Sequence, residues 1–457
     1  MNRSSWVLRA AALVAVAGLP VYADTSELQQ QVDELKGQVA ELEARQSAGS
    51  REMAATVESV LRDAERRSTM LAAGDSGAGY DNGFYIRSGG FYLRPGFLFQ
   101  FWNVTDYRNN TNSGGAGKND QTENGFEIHR AQLLLEGTAF DKALLYRFMW
   151  KTDTNTGNLI LNDAYTTCFF ADQWAVLAGQ FKHPVNHEAV VTNGNLLATE
   201  RSLLDAYLGG GAYNRVQGAG LVYGGGQENN PINAVLALHD GPNSLNTDYV
   251  GHYPNDPSPT AFGPHSYDFG VGGRFDYKAA GKWADYNDFT ARNVKDTLFV
   301  LGVDGDWSQG GDGNLLTFNA DAQAKFTDGV SLYGGVTLAH FDAAATGGDA
   351  VTRWGFILQG AYAFNPAWEV FARYSYLDFG AAFTSSNGDS EDKFHEITVG
   401  VNYYLGENGS AGRRAKITVD VNYLPNGTPT SFTKYGYLGD SNFGTELVVR
   451  GQFQFSL

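Results

Sequence analysis

The sequence predicts an all-β chain folded as a transmembrane antiparallel β-barrel, preceded by a helical segment. Three observations carry this. Apolar and polar side chains alternate through most of residues 90–457, the last such run ends on the final residue, and no continuous apolar stretch is long enough to span a bilayer as a helix.

The N-terminus comes first. Arg3 and Arg9 flank a short n-region, an apolar stretch follows over residues 10–19, and Val21 and Ala23 are the small residues ahead of a cleavage point before Asp24. Residues 1–23 therefore read as a signal peptide.

Residues 24–70 carry a helical period. Leu28, Leu35 and Leu42 recur every seven residues, Val32 and Val39 each follow a leucine by four, and Met53, Val57, Val60, Leu61 and Ala64 continue the stripe. So narrow a stripe builds no core of its own, and a periplasmic coiled coil is its natural use. A single amphipathic helix or a periplasmic tail is the other reading. Gly74, Gly77, Gly79 and Gly83 mark residues 71–87 as a Gly-rich linker, and residues 88–457 as the barrel.

From Gly90 the period becomes two. Phe91, Leu93, Pro95, Phe97, Phe99 and Phe101 share one parity, and Arg94, Gln100 and Trp102 lie on the other. Residues 105–124, rich in Asn, Gly and Thr, read as a loop. In the next strand His129, Ala131, Leu133 and Leu135 alternate with Arg130, Gln132 and Glu136, and after the Asp141-Lys142 turn Tyr146, Phe148 and Trp150 oppose Arg147 and Lys151. Similar runs recur near 173–182, 216–224, 267–278, 296–306, 314–327, 330–341, 352–364, 367–378, 394–405 and 414–424.

A soluble sandwich would alternate in the same way, with its charged face outward. The last strand favours the barrel. Leu447, Val449, Phe453, Phe455 and Leu457 oppose Arg450, Gln452, Gln454 and Ser456, and a closed barrel must pair this strand with the first to leave no edge.

Composition excludes several functions. With 33 basic against 50 acidic side chains, a formal charge of -17, the chain is a poor ligand for nucleic acid. Cys168, the single cysteine, allows neither a disulfide framework nor a thiolate metal site, and reads as a buried or lipid-facing small residue. His183 and His187 stand four apart beside Glu188, but Pro184 between them argues against a regular ligand helix, so no metal is expected. His129 and His395 lack a serine or cysteine arrangement. No catalytic residues and no cofactor are expected.

Six segments carry a resemblance: FEIHRAQLLLEG at 126–137, NDAY at 162–165, GQFKHPVNHE at 179–188, ATERSLLDAY at 198–207, RYSYLDF at 373–379 and EITVGVNYYLGE at 396–407. In this order, and together spanning most of residues 84–457, they resemble the phosphate-selective porin O and P family. The resemblance implies 16 strands, a homotrimer in the outer membrane of a Gram-negative-type bacterium, inward-folded loops, and in some members a periplasmic N-terminal coiled coil. Leu457 departs from the terminal phenylalanine of many such barrels. Residues 182–218 would contain the constriction loop, with Leu196, Leu197, Leu203 and Leu204 packing it against the wall.

The candidate pore-lining, anion-contacting residues are Arg130, Arg147, Lys151, Lys182, Arg201 and Arg215. Anions need donors along the wall, and Arg and Lys supply them. Arg130 matches the second arginine of the family's RRA element, where His129 replaces the first; Lys182 matches the lysine of GQFK, and Arg201 the arginine of ER. The opposing readings are wall pairs of Arg130 or Arg147 with Glu127, Glu136 or Asp153, a Glu200-Arg201 loop clamp, and an Arg373 pair with Asp378. The expected function is passive diffusion of small hydrophilic solutes, with phosphate or another small anion leading. The alternatives are a general porin without phosphate selectivity, favoured by the acidic excess, and a structural barrel tethering the envelope through periplasmic or cell-wall contacts of the N-terminal helix.

Overall fold

The computed structural model describes residues 33–38, 76–80, 83–111, 119–140, 143–153, 156–210, 214–242, 269–310, 313–342, 350–384, 390–428, 435–437 and 443–457. Residues 1–77 form one unit, of which residues 33–38 are helical and exposed, with Lys36 3.7 Å from Asp33. The signal peptide and the rest of the expected coiled coil lie outside the described residues.

The second unit is a closed antiparallel barrel of sixteen strands. In chain order they are β1 (Phe91–Thr111), β2 (Asn119–Ala139), β3 (Leu144–Thr152), β4 (Leu159–Ala171), β5 (Trp174–Lys182), β6 (Arg215–Tyr223), β7 (Ile232–His239), β8 (Phe269–Ala280), β9 (Leu298–Gly310), β10 (Gly313–Lys325), β11 (Val330–Asp342), β12 (Val351–Asn365), β13 (Trp368–Thr384), β14 (Ser390–Tyr404), β15 (Ala415–Leu424) and β16 (Glu446–Ser456). Each strand pairs with the next, and β16 closes on β1 from Glu446↔Arg108 to Ser456↔Leu98. Closure satisfies every ladder within the wall, the condition for strands in lipid. Among the described residues no helix is long and apolar enough to cross a membrane.

The alternation read from the sequence sorts the wall into two faces. Leu447, Val449, Phe453 and Phe455 are exposed on the outer face, whereas Val448, Arg450, Gln452 and Gln454 are buried inside. Cys168 is exposed on the outer face across from Val176. The interior is polar, lined by such residues as Gln100, Asp304, Gln323, Glu396 and Asn422.

Four details differ from the expectation. Residues 105–124 are not all loop: β1 and β2 continue pairing to Thr111↔Asn119, since Asn and Thr join the ladder through side-chain bonds such as Asn124 Nδ2 to Thr105 Oγ1 (2.6 Å). Part of the expected linker is strand, with Ser76–Tyr80 extended and Phe84–Ser88 pairing onto β1. Strands β4 and β7 were not among the anticipated runs. An extra residue at Asn162 breaks the alternation of β4, and β7 (INAVLALH) is a short apolar run. Finally, His129 does not face lipid. A β-bulge between Gln100 and Phe101 leaves it as the extra residue of β2, so His129 and Arg130 both turn inward.

Residues 183–210, between β5 and β6, fold into the lumen. This segment contains two short helices, α1 (His187–Val190) and α2 (Leu203–Leu208). Leu196, Leu197, Leu203, Leu204, Tyr207 and Leu208 are buried in one cluster with wall residues Ile357, Phe371, Leu377 and Phe394. Polar pins add to this. Thr199 N and Oγ1 donate to Asp420 (2.8 Å each), Leu203 N donates to Glu396 (2.8 Å), and Arg373 Nη1 donates to Glu200 O (2.9 Å).

Candidate functional site

Between this inserted loop and the wall made by β2–β6 lies a polar cavity of about 370 Å³. Arg130, Lys151, Lys182, Arg201 and Arg215 all line it, with Glu127, Asp153 and Asp205 as the acidic members. Arg147 is not in the lining; it is held in the wall by Glu136 (2.8 Å) and Asp163 (3.1 Å).

The five lining cations differ in what already holds them. The Lys182 ammonium donates to three carbonyls at the end of α1, those of Ala189 (2.7 Å), Val190 (3.1 Å) and Val191 (2.9 Å). Arg201 clamps the loop, donating from Nε to Glu188 O (2.9 Å) and from Nη1 to Asn193 Oδ1 (2.7 Å). Arg130 pairs with Glu200 of the loop and donates to Gln100 Oε1 (2.9 Å), so its carboxylate comes from the insert rather than from Glu127, Glu136 or Asp153. Arg373 likewise takes Glu396 (2.8 Å) rather than Asp378.

Two donors are left over. Arg215 gives Nε to Asp163 Oδ1 (2.8 Å) and Nη1 to Asn214 Oδ1 (3.1 Å), while its buried Nη2 has no partner among the described residues. Among the described residues Lys151 makes no hydrogen bond or ion pair; the charges acting on it are Arg215 and Arg130, of like sign, and Asp153, of opposite sign. Like charges facing one cavity with spare donors favour an anion between them.

His129 joins the loop to the wall from the same side. Its ring stacks on Trp102 at 3.4 Å and bridges Glu127 (2.9 Å) and Glu200 (2.9 Å). Burial opposes ionisation of Glu200, but Arg130, His129 and Arg201 outweigh it and hold the carboxyl well below its usual range.

Residues 102–267 match the family described as phosphate-selective porin O and P. Over that stretch the chain is similar to the family its sequence motifs resemble. No curated protein matches in sequence. Among solved structures, the anion-selective porin from Comamonas acidovorans is 13% identical, with a TM-score of 0.52 over 80% of this chain and 99% of that one. The outer membrane channel DcaP of Acinetobacter baumannii is 13% identical, with a TM-score of 0.48 over 82% and 99% of the two chains. Salmonella typhi OmpF, solved with daunomycin, is 15% identical, with a TM-score of 0.48 over 81% and 100%. At this level of identity the likeness to the Comamonas porin shows the shared fold, a closed antiparallel β-barrel.

One cluster in the barrel has the composition of a metal site. His183, His239 and Asp306 converge in the buried wall, with His183 Nε2 2.9 Å and His239 Nε2 2.7 Å from the same Asp306 oxygen. Gly241 N donates to His239 Nδ1 (2.9 Å), which leaves the ring proton on Nε2, pointing at Asp306. The three atoms are thus joined by N–H···O bonding and do not offer three lone pairs to an ion. The packing is close enough that a Cβ on Gly272 would stand 2.5 Å from Asp306 Oδ2. The two histidines of the HPVNHE stretch diverge, since His187 turns to Gln323 (2.8 Å).

Sequence reasoning did not find the part played by residues 281–297, which also enter the lumen, nor the inward turn of His129. A Trp-Ala-Asp-Tyr stretch ahead of Phe289 was the available signal for the first. No local signal marks the bulge.

Proposed function

We infer that this barrel is a porin that passes small hydrophilic solutes across the outer membrane. We propose that it prefers anions, with phosphate or another small oxyanion as the leading solute, and that Lys151, Arg215 and Arg130 are the contacts that favour them. One observation supports this above the others: among the described residues Lys151 and Arg215 Nη2 are unpartnered donors at one polar cavity, beside Arg130. Lys182 and Arg201 line the same cavity but act by holding the loop that shapes it, and Arg147 acts through Asp163, which it shares with Arg215.

The test is the reversal potential of purified porin in a bilayer under a steep KCl gradient. Anion preference is expected, and cation preference refutes the proposal. Block of chloride current by phosphate separates an oxyanion site from general attraction; without such block the general porin reading stands, which the net charge of -17 favours. A homotrimer, and a periplasmic or cell-wall contact through residues 24–70, belong to the same proposal. Mass measurement in detergent and deletion of that segment test them.

A further inference from the structure

Residues 281–297 connect β8 to β9 at the end of the barrel that carries the start of β1 and the end of β16, opposite the end from which residues 183–210 descend. A turn there needs only a few residues. This one instead contains a short helix, α3 (Trp283–Tyr286), and buries Trp283, Tyr286, Phe289 and Ala291.

Its anchors run across the barrel. Near its own strands, Trp283 Nε1 donates to Asn230 O (2.7 Å), and the Tyr286 hydroxyl accepts from Arg274 (2.9 Å) and donates to Asp276 (3.1 Å). Further on, Asp288 pairs with Lys325 of β10 and Arg413 of the β14–β15 connection, and the Thr290 hydroxyl donates to Glu369 of β13. At the far side Arg292 Nη1 donates to Pro366 O (2.9 Å) and Gly409 O (3.0 Å), with its guanidinium 4.6 Å above the Tyr404 ring.

The constriction loop rests on this beam. The His187 ring lies 3.9 Å from the Tyr286 ring at 7°, Phe289 flanks it at 5.5 Å, and Asn195 Nδ2 donates to Asn287 O (2.8 Å). Burial drives the His187 imidazole down to about 3, so the stacked ring is neutral. Both inserts brace the β8–β15 side, and the polar cavity is left against β2–β6.

We propose that residues 281–297 are a second pore-limiting insert, which narrows the lumen from the terminus-bearing end and positions the constriction loop. The proposal needs only a water-filled barrel and is independent of which ion is preferred.

The experiment replaces residues 283–295 with a short Gly/Ser turn and compares single-channel conductance and reversal potential with the parent. A wider lumen should raise conductance roughly twofold or more. Unchanged conductance in a folded, heat-modifiable barrel overturns the proposal, even if the unfolding temperature falls, since a mere brace would do only that. Should the replacement not fold, the double substitution Thr290→Val with Arg292→Ala frees only the far end of the beam. It should add open-channel noise and larger substates, and a parent-like trace overturns the proposal. Reversal potential is read in the same traces, so a failed anion preference would show there without touching the conductance result.

Discussion

Replacing Lys151 by glutamine removes the lining ammonium that, among the described residues, no side chain or carbonyl holds, while leaving the loop and its anchors in place. Lys151 is half-buried at the edge of a polar, water-accessible cavity, so a dielectric near that of water applies rather than that of a dry interior. An anion passing about 4 Å from a unit charge gains about 1 kcal/mol under those conditions, which corresponds to roughly fivefold in anion-to-cation preference. Charge reversal with Lys151→Glu should double the effect to about 2 kcal/mol, or roughly 30-fold. The assay is the reversal potential across a planar bilayer, first in dilute salt. Concentrated salt should shrink the difference, because the screening length falls from about 10 Å at 0.1 M to about 3 Å at 1 M. If both variants keep the parent's reversal potential in dilute salt, Lys151 does not face the solute path and the assignment of the cavity as the selective zone is wrong.

Three further outcomes follow from the same contacts. Glu200→Gln deprives Arg130 of its carboxylate, so anion preference should rise by a few-fold (about 1 kcal/mol) in bilayer recordings, opposite in sign to Lys151→Gln; a shift toward cations would refute the pairing. Asp420→Asn strands the fully buried Arg450 and loosens Thr199, and it should cost about 3–5 kcal/mol in urea unfolding of the barrel, against which an unchanged midpoint would count. Burial, then Asp205, push the Glu188 carboxyl up to about 7 against the pull of Arg373 and the Ser202 bonds. The folded protein therefore holds this proton more tightly than the unfolded chain, and the associated stability is present below the ordinary carboxyl value of 4.5 and lost as pH rises through about 7. Glu188→Gln should gain on the parent in unfolding temperature across that window, and a flat difference would reject it.

The wall was legible because period-two alternation survives wherever one face meets lipid and the other water. The clearest case is the run from Leu447 to Leu457, whose parity and closing partner β1 both follow from the need to leave no edge. The position of the constriction loop came from the family resemblance, and Leu196, Leu197, Leu203 and Leu204 find there the apolar surface that such a loop needs inside the barrel. What alternation cannot show is a single inserted residue. The bulge at His129 reverses the facing of everything before it on β2, and only the cross-strand pairing reveals the slip. Pairing partners were illegible for a related reason. Arg130 and Arg373 bond to residues 70 and 23 positions away, respectively, brought near by the insert or the neighbouring strand.

The acidic excess of the chain looks at first like an objection to an anion path, yet the interior shows where several carboxylates are placed. Asp304 and Asp321 surround Arg274, Glu396 holds Arg373, Asp420 holds Arg450, and Asp288 joins Lys325 and Arg413. Each of these carboxylates is matched to a cation and fixes an insert or a wall strand, so it contributes little field to the lumen. Selectivity depends instead on the few charges that remain unmatched where the solute passes. At the cavity the donors Lys151 and Arg215 Nη2 stand against the lining carboxylates of Glu127, Asp153 and Asp205, while the nearby carboxylate of Glu200 is already engaged by Arg130 and His129. Net charge and pore preference can therefore differ in sign. Lys151→Gln and Glu200→Gln, which move the cavity in opposite directions while each changes the total by a single unit, separate the two.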